Sequence, residues 1–122
     1  MATLDRAAEL KARTKSFAIR IVGLYRSLPH STDAQVLGKQ LLRSGTSVAA
    51  NYRVACRSRS KAEFISKMSV VLEEPDESAF WLELLAETGT LAADRTQALL
   101  EDQRAGGHLR GIDQDGESQL II

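Results

Sequence analysis

The sequence predicts an all-α fold, an antiparallel up-and-down four-helix bundle with a shortened fourth helix and an irregular C-terminal tail. Three observations carry this. Apolar residues recur every three or four positions across most of residues 4–103. Runs of alternating β-branched residues bounded by turn signals, which strands need, do not occur. The apolar content is mostly Ala, Leu, Val and Ile with 5% aromatics, and a few breakers cut the pattern into helix-length pieces. At 122 residues the chain fits one domain with a single modest core. Residues 1–103 are assigned to the bundle and 104–122 to the tail.

The first helix is expected from Leu4 to Leu28, with Leu10, Phe17, Ile21, Leu24 and Leu28 forming a near-heptad stripe that needs partner helices. Leu28-Pro29 ends it, because proline disfavours a helical residue before it and brings no backbone donor. Thr32-Asp33-Ala34-Gln35 has the form of a capping box, so a second helix starts near Asp33 and buries Val36, Leu37, Leu41, Val48, Ala49, Tyr52 and Cys56. Ser44-Gly45-Thr46-Ser47 interrupts this stripe with small residues. Glycine there costs about 1 kcal/mol relative to alanine, which implies close helix contact or a slight bend rather than a break.

Ser60-Lys61-Ala62-Glu63 is a second capping box, opening a third helix that carries Phe64, Met68, Val71, Leu72, Ala79, Leu82 and Leu85 and stops near Gly89. Pro75 sits inside this pattern. It is expected to kink the helix, and Glu73, Glu74, Asp76 and Glu77 around it suit the start of a renewed helix. A fourth helix is expected from Leu91 to Gln103, with Leu91, Leu99 and Leu100 facing inward. Beyond it the periodicity collapses.

Sixteen Lys/Arg balance sixteen Asp/Glu, yet the charges are segregated. Residues 1–72 hold thirteen Lys/Arg against four acids, a net of +9; residues 73–122 hold three against twelve, a net of −9. The halves either neutralise one another across helix seams or leave one basic face for a polyanion. Both arrangements can coexist. One cysteine, Cys56, excludes an internal disulfide and fits a reducing compartment. The opening residues lack the apolar core of a signal peptide and no apolar run is long enough to span a membrane, so a cytoplasmic location is expected.

Catalysis finds little support in the residue pattern. His30 and His108 have no nucleophile beside them, no phosphate-binding glycine motif follows a strand, and one cysteine with two distant histidines makes no metal site. Cys56 reads as a small core residue, and the Glu73–Glu77 acids read as a solvated face. The expectation is therefore no enzyme, no cofactor and no metal.

Nucleic-acid binding has a physical basis in Arg43, Arg53, Arg57, Arg59 and Lys61, near the end of helix two and the turn after it. Guanidinium groups grip phosphate bidentately, and Asn51 and Tyr52 could add hydrogen bonding and base stacking. The plainer alternative is that Arg53 and Arg57, one turn apart, pair with acids of helix three or cap helix two. A third reading is a protein-interaction module that associates through Ser44–Ser47 and Ala49-Ala50.

The stretch from Leu37-Gly38-Lys39-Gln40-Leu41-Leu42-Arg43-Ser44 through Ser47-Val48-Ala49-Ala50-Asn51-Tyr52-Arg53, then Arg59-Ser60-Lys61-Ala62-Glu63-Phe64 and Trp81-Leu82-Glu83-Leu84-Leu85, resembles the four-helix-bundle protein family, also called the 23S rRNA intervening-sequence protein family. The resemblance runs over residues 8–102. It implies a small up-and-down bundle. A relative that serves diversity-generating retroelements forms a pentameric barrel and is associated with a reverse transcriptase and nucleic acid. The resemblance thus implies a homo-oligomer, a pentamer by analogy, acting as a non-enzymatic scaffold with RNA, DNA or protein as partner and no membrane.

Two departures stand out. Pro75 replaces what is usually a helix former, and the family's helix-four ending, of the type D-E-L-V-A-I-Y-V-A-S-I-K-T-A, is missing. Back-translated and read one base out of frame, that string admits codons for R-A-G-G-H-L-R-G-I-D-Q-D-G, which is Arg104 to Gly116 in order. The expectation is a frameshift near Glu101–Gln103 that removed several turns of apolar stripe.

Overall fold

Four helices form in the computed structural model, which describes residues 2–106: α1 (Ala2–Arg26), α2 (Thr32–Ala55), α3 (Lys61–Glu87) and α4 (Ala93–Gly106). No strand occurs among the described residues, and α4 is much the shortest helix. Residues 104–106, expected to open the irregular tail, continue α4 instead, while the rest of the tail with His108, and with it most of the stretch assigned to a frameshift, lies outside the described residues. Each helix packs on its neighbours in a ring, α1 on α2, α2 on α3, α3 on α4 and α4 on α1, while the backbones of the diagonal pairs stay apart.

Local chemistry sets the boundaries. Ser60 caps α3, its Oγ accepting the Glu63 N–H at 3.1 Å. The reciprocal half of that capping box is missing, because the Glu63 carboxylate turns forward to Lys67 Nζ at 3.1 Å. α3 ends just before Gly89, whose φ of 72° is open to glycine without a Cβ penalty. There the Gly89 N–H bonds the Ala86 carbonyl and the Thr90 N–H bonds the Leu85 carbonyl, both at 3.0 Å, closing a Schellman motif.

The expected box at Thr32 does not form. Ser31 is the N-cap residue of α2, with no side-chain cap bond. Its hydroxyl and the Ala34 N–H hold the Asp33 carboxyl below the usual carboxylate range. Gln35 bridges tertiary partners instead, accepting the Tyr25 hydroxyl at 2.9 Å and donating to the Pro29 carbonyl at 2.9 Å. Nor does α3 restart at Pro75. The helix runs through it with the ring buried, so packing outweighs the one backbone bond lost.

The small residues of α2 serve two neighbours at once. A Cβ on Gly45 would lie 2.8 Å from Ile21 Cγ1, and one on Gly38 would lie 3.0 Å from Tyr25 Cδ1. The two glycines are spaced by about two turns, so both share the face against α1 and let the two helices approach closely. On the adjacent side of α2, the buried Ser78 Oγ of α3 donates to Ser44 Oγ at 2.9 Å.

The interior divides into two apolar clusters. The first joins Phe17, Ile21, Leu24 and Leu28 of α1 and the α1–α2 turn to Ala34 and Leu41 of α2, Leu82 and Leu85 of α3, and Leu99 of α4. The second joins Leu10, Val48, Tyr52, Ala55, Met68 and Val71, drawn from α1, α2 and α3. Each fully buried large side chain contributes roughly 1.5–3 kcal/mol. The expected inward stripe is met, wholly or in part, except at Val36, which is 56% exposed.

Candidate nucleic-acid interface

From Leu10 to Ala62 the chain carries eleven Lys/Arg and a single acid, Asp33. This span is most of α1, all of α2 and the turn into α3, so two packed helices with almost no acids present a common outer surface. Helical periodicity decides which cations share it. On α2, Gly38 and Gly45 mark the side against α1; Arg53 follows on the outer shoulder of that side, Lys39 faces outward beside it, and Arg57 lies in the turn just past the helix end. On α1, Tyr25 touches α2; Lys11 lies two heptads before it on the same edge, with Lys15 and Arg26 beside.

These six side chains are exposed, and none has an ion-pair partner among the described residues. They form a basic strip along the α1–α2 seam. From Lys11 to Arg26 it extends roughly 22 Å at the helical rise per residue. Arg59 and Lys61, also exposed, prolong it around the turn.

The residues singled out from the sequence divide. Arg53, Arg57, Arg59 and Lys61 belong to this surface or its edge, and Asn51 is half-buried. Arg43 instead reaches to the α3 side of α2, where it bridges Glu74 at 3.1 Å and pairs with Glu77. The acid pairing considered for Arg53 and Arg57 is thus made by Arg43. The acids expected as a solvated face are therefore partly engaged, with the Glu74 side chain only 13% exposed.

The Glu77 bond raises the Arg43 pKa, and the same bond holds the Glu77 carboxyl low. Burial pushes the Glu74 carboxyl up, helped by its hydrogen bond to Glu77 and opposed by Arg43. Trp81 Nε1 also donates to Glu77, at 3.3 Å.

Tyr52 is fully buried in the second cluster, so its ring is not offered for base stacking. Its hydroxyl has no hydrogen-bond partner. Burial above all pushes its pKa far up.

Lys11, Lys15, Arg26 and Lys39 join the site only in three dimensions. Their grouping depends on which helices pair and through which faces, and the glycine spacing of α2 is the sequence signal that could locate that seam. Elsewhere, an open cleft of about 320 Å³ between α1 and α4 is lined by Arg20, Gly23, Leu24, Arg95, Ala98 and Leu99. Arg95 is tethered there by its bond to Ser27 Oγ at 2.7 Å. Among the described residues no group of His, Cys, Asp and Glu could hold a metal ion, and no helix is long and apolar enough to cross a membrane.

Fold and surface together define a small four-helix bundle with a basic strip on one seam. The chain belongs to the 23S rRNA-intervening sequence protein family, whose profile matches residues 6–106. It is similar to the crystal structure of a protein of unknown function from the S23 ribosomal protein family of Bacteroides thetaiotaomicron. The two are 38% identical with a TM-score of 0.77, covering 82% of this chain and 94% of that one. No curated protein matches the chain.

Proposed function

We propose that this protein is a non-enzymatic, cytoplasmic accessory protein that binds the phosphate backbone of RNA or DNA along its α1–α2 seam. The observation that carries this reading is the strip of six exposed cations without acidic partners among the described residues, on two adjoining helices and the turn after the second. Such a surface attracts a polyanion through counterion release, a contribution that does not depend on base sequence. The family's name, which refers to an intervening sequence of 23S rRNA, supports RNA as the partner. Binding to generic RNA is expected to weaken steeply from about 50 to 200 mM salt, and Arg53→Ala with Arg57→Ala is expected to flatten that slope by about one to two counterions. Absence of binding at low salt would eliminate the reading.

A second reading, assembly with further copies or another protein, has its own support. Four exposed large apolar side chains lie on α2 and α3: Val36, Val54, Val70 and Phe80. The Arg43–Glu77 pair sets the register of these helices and brings Val36 level with the Phe80 region, since each lies about two turns or less from that pair toward the same end of the bundle. A homo-oligomer, pentameric by family resemblance, would cover such residues. Solution mass tests self-assembly: a monomer at high protein concentration removes the homo-oligomer.

A further inference from the structure

The cations of the α1–α2 seam form two rows, Lys11, Lys15 and Arg26 on α1, and Lys39 and Arg53 on α2 with Arg57 in the turn just past its end. The close contacts at Gly38 and Gly45 bring the two helices together along this seam. On α1 a pair sits one turn apart, Lys11 with Lys15, a rise of about 6 Å, and Arg53 faces it near the end of α2 with Arg57 following in the turn. Two parallel rows of charge suit two backbones running side by side. A single strand offers only one line of phosphates.

The aromatic side chains point the same way. Proteins that hold single strands without sequence preference stack bases on exposed aromatic rings. Here Phe17 and Tyr52 are buried, and Tyr25, Phe64 and Trp81 are half-buried and packed against the two cores. Phe80 is exposed, but on α3, which lies diagonally across the bundle from α1, and its ring meets Trp81 edge-on at 4.9 Å. The basic strip therefore has charge for phosphates and no exposed Phe, Tyr or Trp ring for bases.

We infer that the α1–α2 face takes a double-stranded nucleic acid, each cation row contacting one of the two phosphate backbones. This rests on the phosphate-binding reading above and adds the form of the ligand. Recognition by backbone and shape is the usual mode for duplex RNA, whose deep major groove excludes side chains.

The test is fluorescence anisotropy on the full chain with an RNA duplex of about 20 base pairs, a DNA duplex of the same length, and the separate strands of each. A duplex is expected to bind at least about tenfold more tightly than its strands at low salt. Lys11→Ala with Lys15→Ala, and Arg53→Ala with Arg57→Ala, are each expected to weaken duplex binding about tenfold and to lower the salt slope by about one to two. All four positions are exposed, and circular dichroism checks that the variants stay folded. Tighter binding of either duplex supports the proposal, and the preference between RNA and DNA tells which backbone geometry fits. Strands that bind as well as duplexes overturn it while leaving phosphate binding intact, as does a loss confined to one row. Failure of every probe to bind at low salt overturns it together with the reading it rests on.

Discussion

The two ends of the bundle differ in how they are closed. At one end, four helices surround Phe17, Ile21, Leu24, Leu41, Leu82, Leu85 and Leu99, and each of these side chains is aliphatic or aromatic with no polar atom. At the other, three helices surround Leu10, Val48, Tyr52, Ala55, Met68 and Val71, a set that includes a hydroxyl without a partner and a flexible methionine. The described length of α4 accounts for the contrast. From Arg95, which meets Ser27 just past the end of α1, to Gly106, α4 descends roughly 16 Å at the helical rise, well short of α1's roughly 37 Å. Among the described residues, then, the fourth wall reaches only one of the two apolar clusters.

The comparison is broken most directly in the cores. Leu82→Ala, in the four-walled cluster, is expected to cost about 3–5 kcal/mol, and Met68→Ala, in the three-walled one, about 2–3 kcal/mol because its surroundings can collapse further. Equal costs in urea unfolding would show that the two ends are packed alike. The α1–α2 seam gives a smaller effect. Gly45→Ala forces its methyl against the branched, stiff Ile21, and overpacking of about 1–3 kcal/mol outweighs a helix-propensity gain of about 1 kcal/mol. Gly38→Ala meets the flexible end of Leu28, which can turn aside, and the edge of the Tyr25 ring, which must shift slightly, so a smaller loss in thermal midpoint than for Gly45→Ala is expected.

Tyr52→Phe should move stability the other way. It deletes a buried hydroxyl with no partner, and a gain of about 1 kcal/mol is expected. A loss on thermal unfolding would mean that the hydroxyl is satisfied in solution.

The smallest change among the destabilising variants is expected at Arg43, which is half exposed. Arg43→Ala should cost under about 1 kcal/mol near neutrality. Its pH dependence is more informative. The depressed Glu77 carboxyl adds stability above the usual carboxylate range, lost as pH falls through its folded value, whereas the raised Glu74 carboxyl does the reverse. Removing Arg43 abolishes the first contribution and worsens the second. The gap between wild type and variant should thus be widest at neutral pH and narrow on acidification; a constant gap in urea midpoints would assign Arg43 to packing alone.

Much of the fold was legible because it rests on local rules. The stripe Leu10, Phe17, Ile21, Leu24, Leu28 is buried as its spacing implied, Ser60 caps α3, and Gly89 ends it. Local rules failed where a tertiary partner competed. Gln35 bonds Tyr25 and the Pro29 carbonyl rather than closing a capping box, and the buried Pro75 is carried through by packing.

The candidate site was half legible. Arg53 and Arg57 stand on the basic seam, but Arg43 reaches away from it to α3 and its glutamates. Charge alone could not separate them, because the two sides of α2 are told apart only by which neighbour Gly38, Gly45 and Ser44 meet. Tyr52 fits the buried stripe of α2 by its spacing, and the structure places it there rather than at the surface.

The ring order of the helices has a kinetic consequence. Three of the four seams join helices that follow one another in the chain, so they can close through short loops with little loss of chain entropy. The α4–α1 seam alone joins elements from distant parts of the sequence, and it is held by Leu99 and the Arg95–Ser27 bond. It is the seam expected to zip last during folding and to open first in the native state, so the amides of α4 should exchange with deuterium ahead of those in α1, α2 and α3.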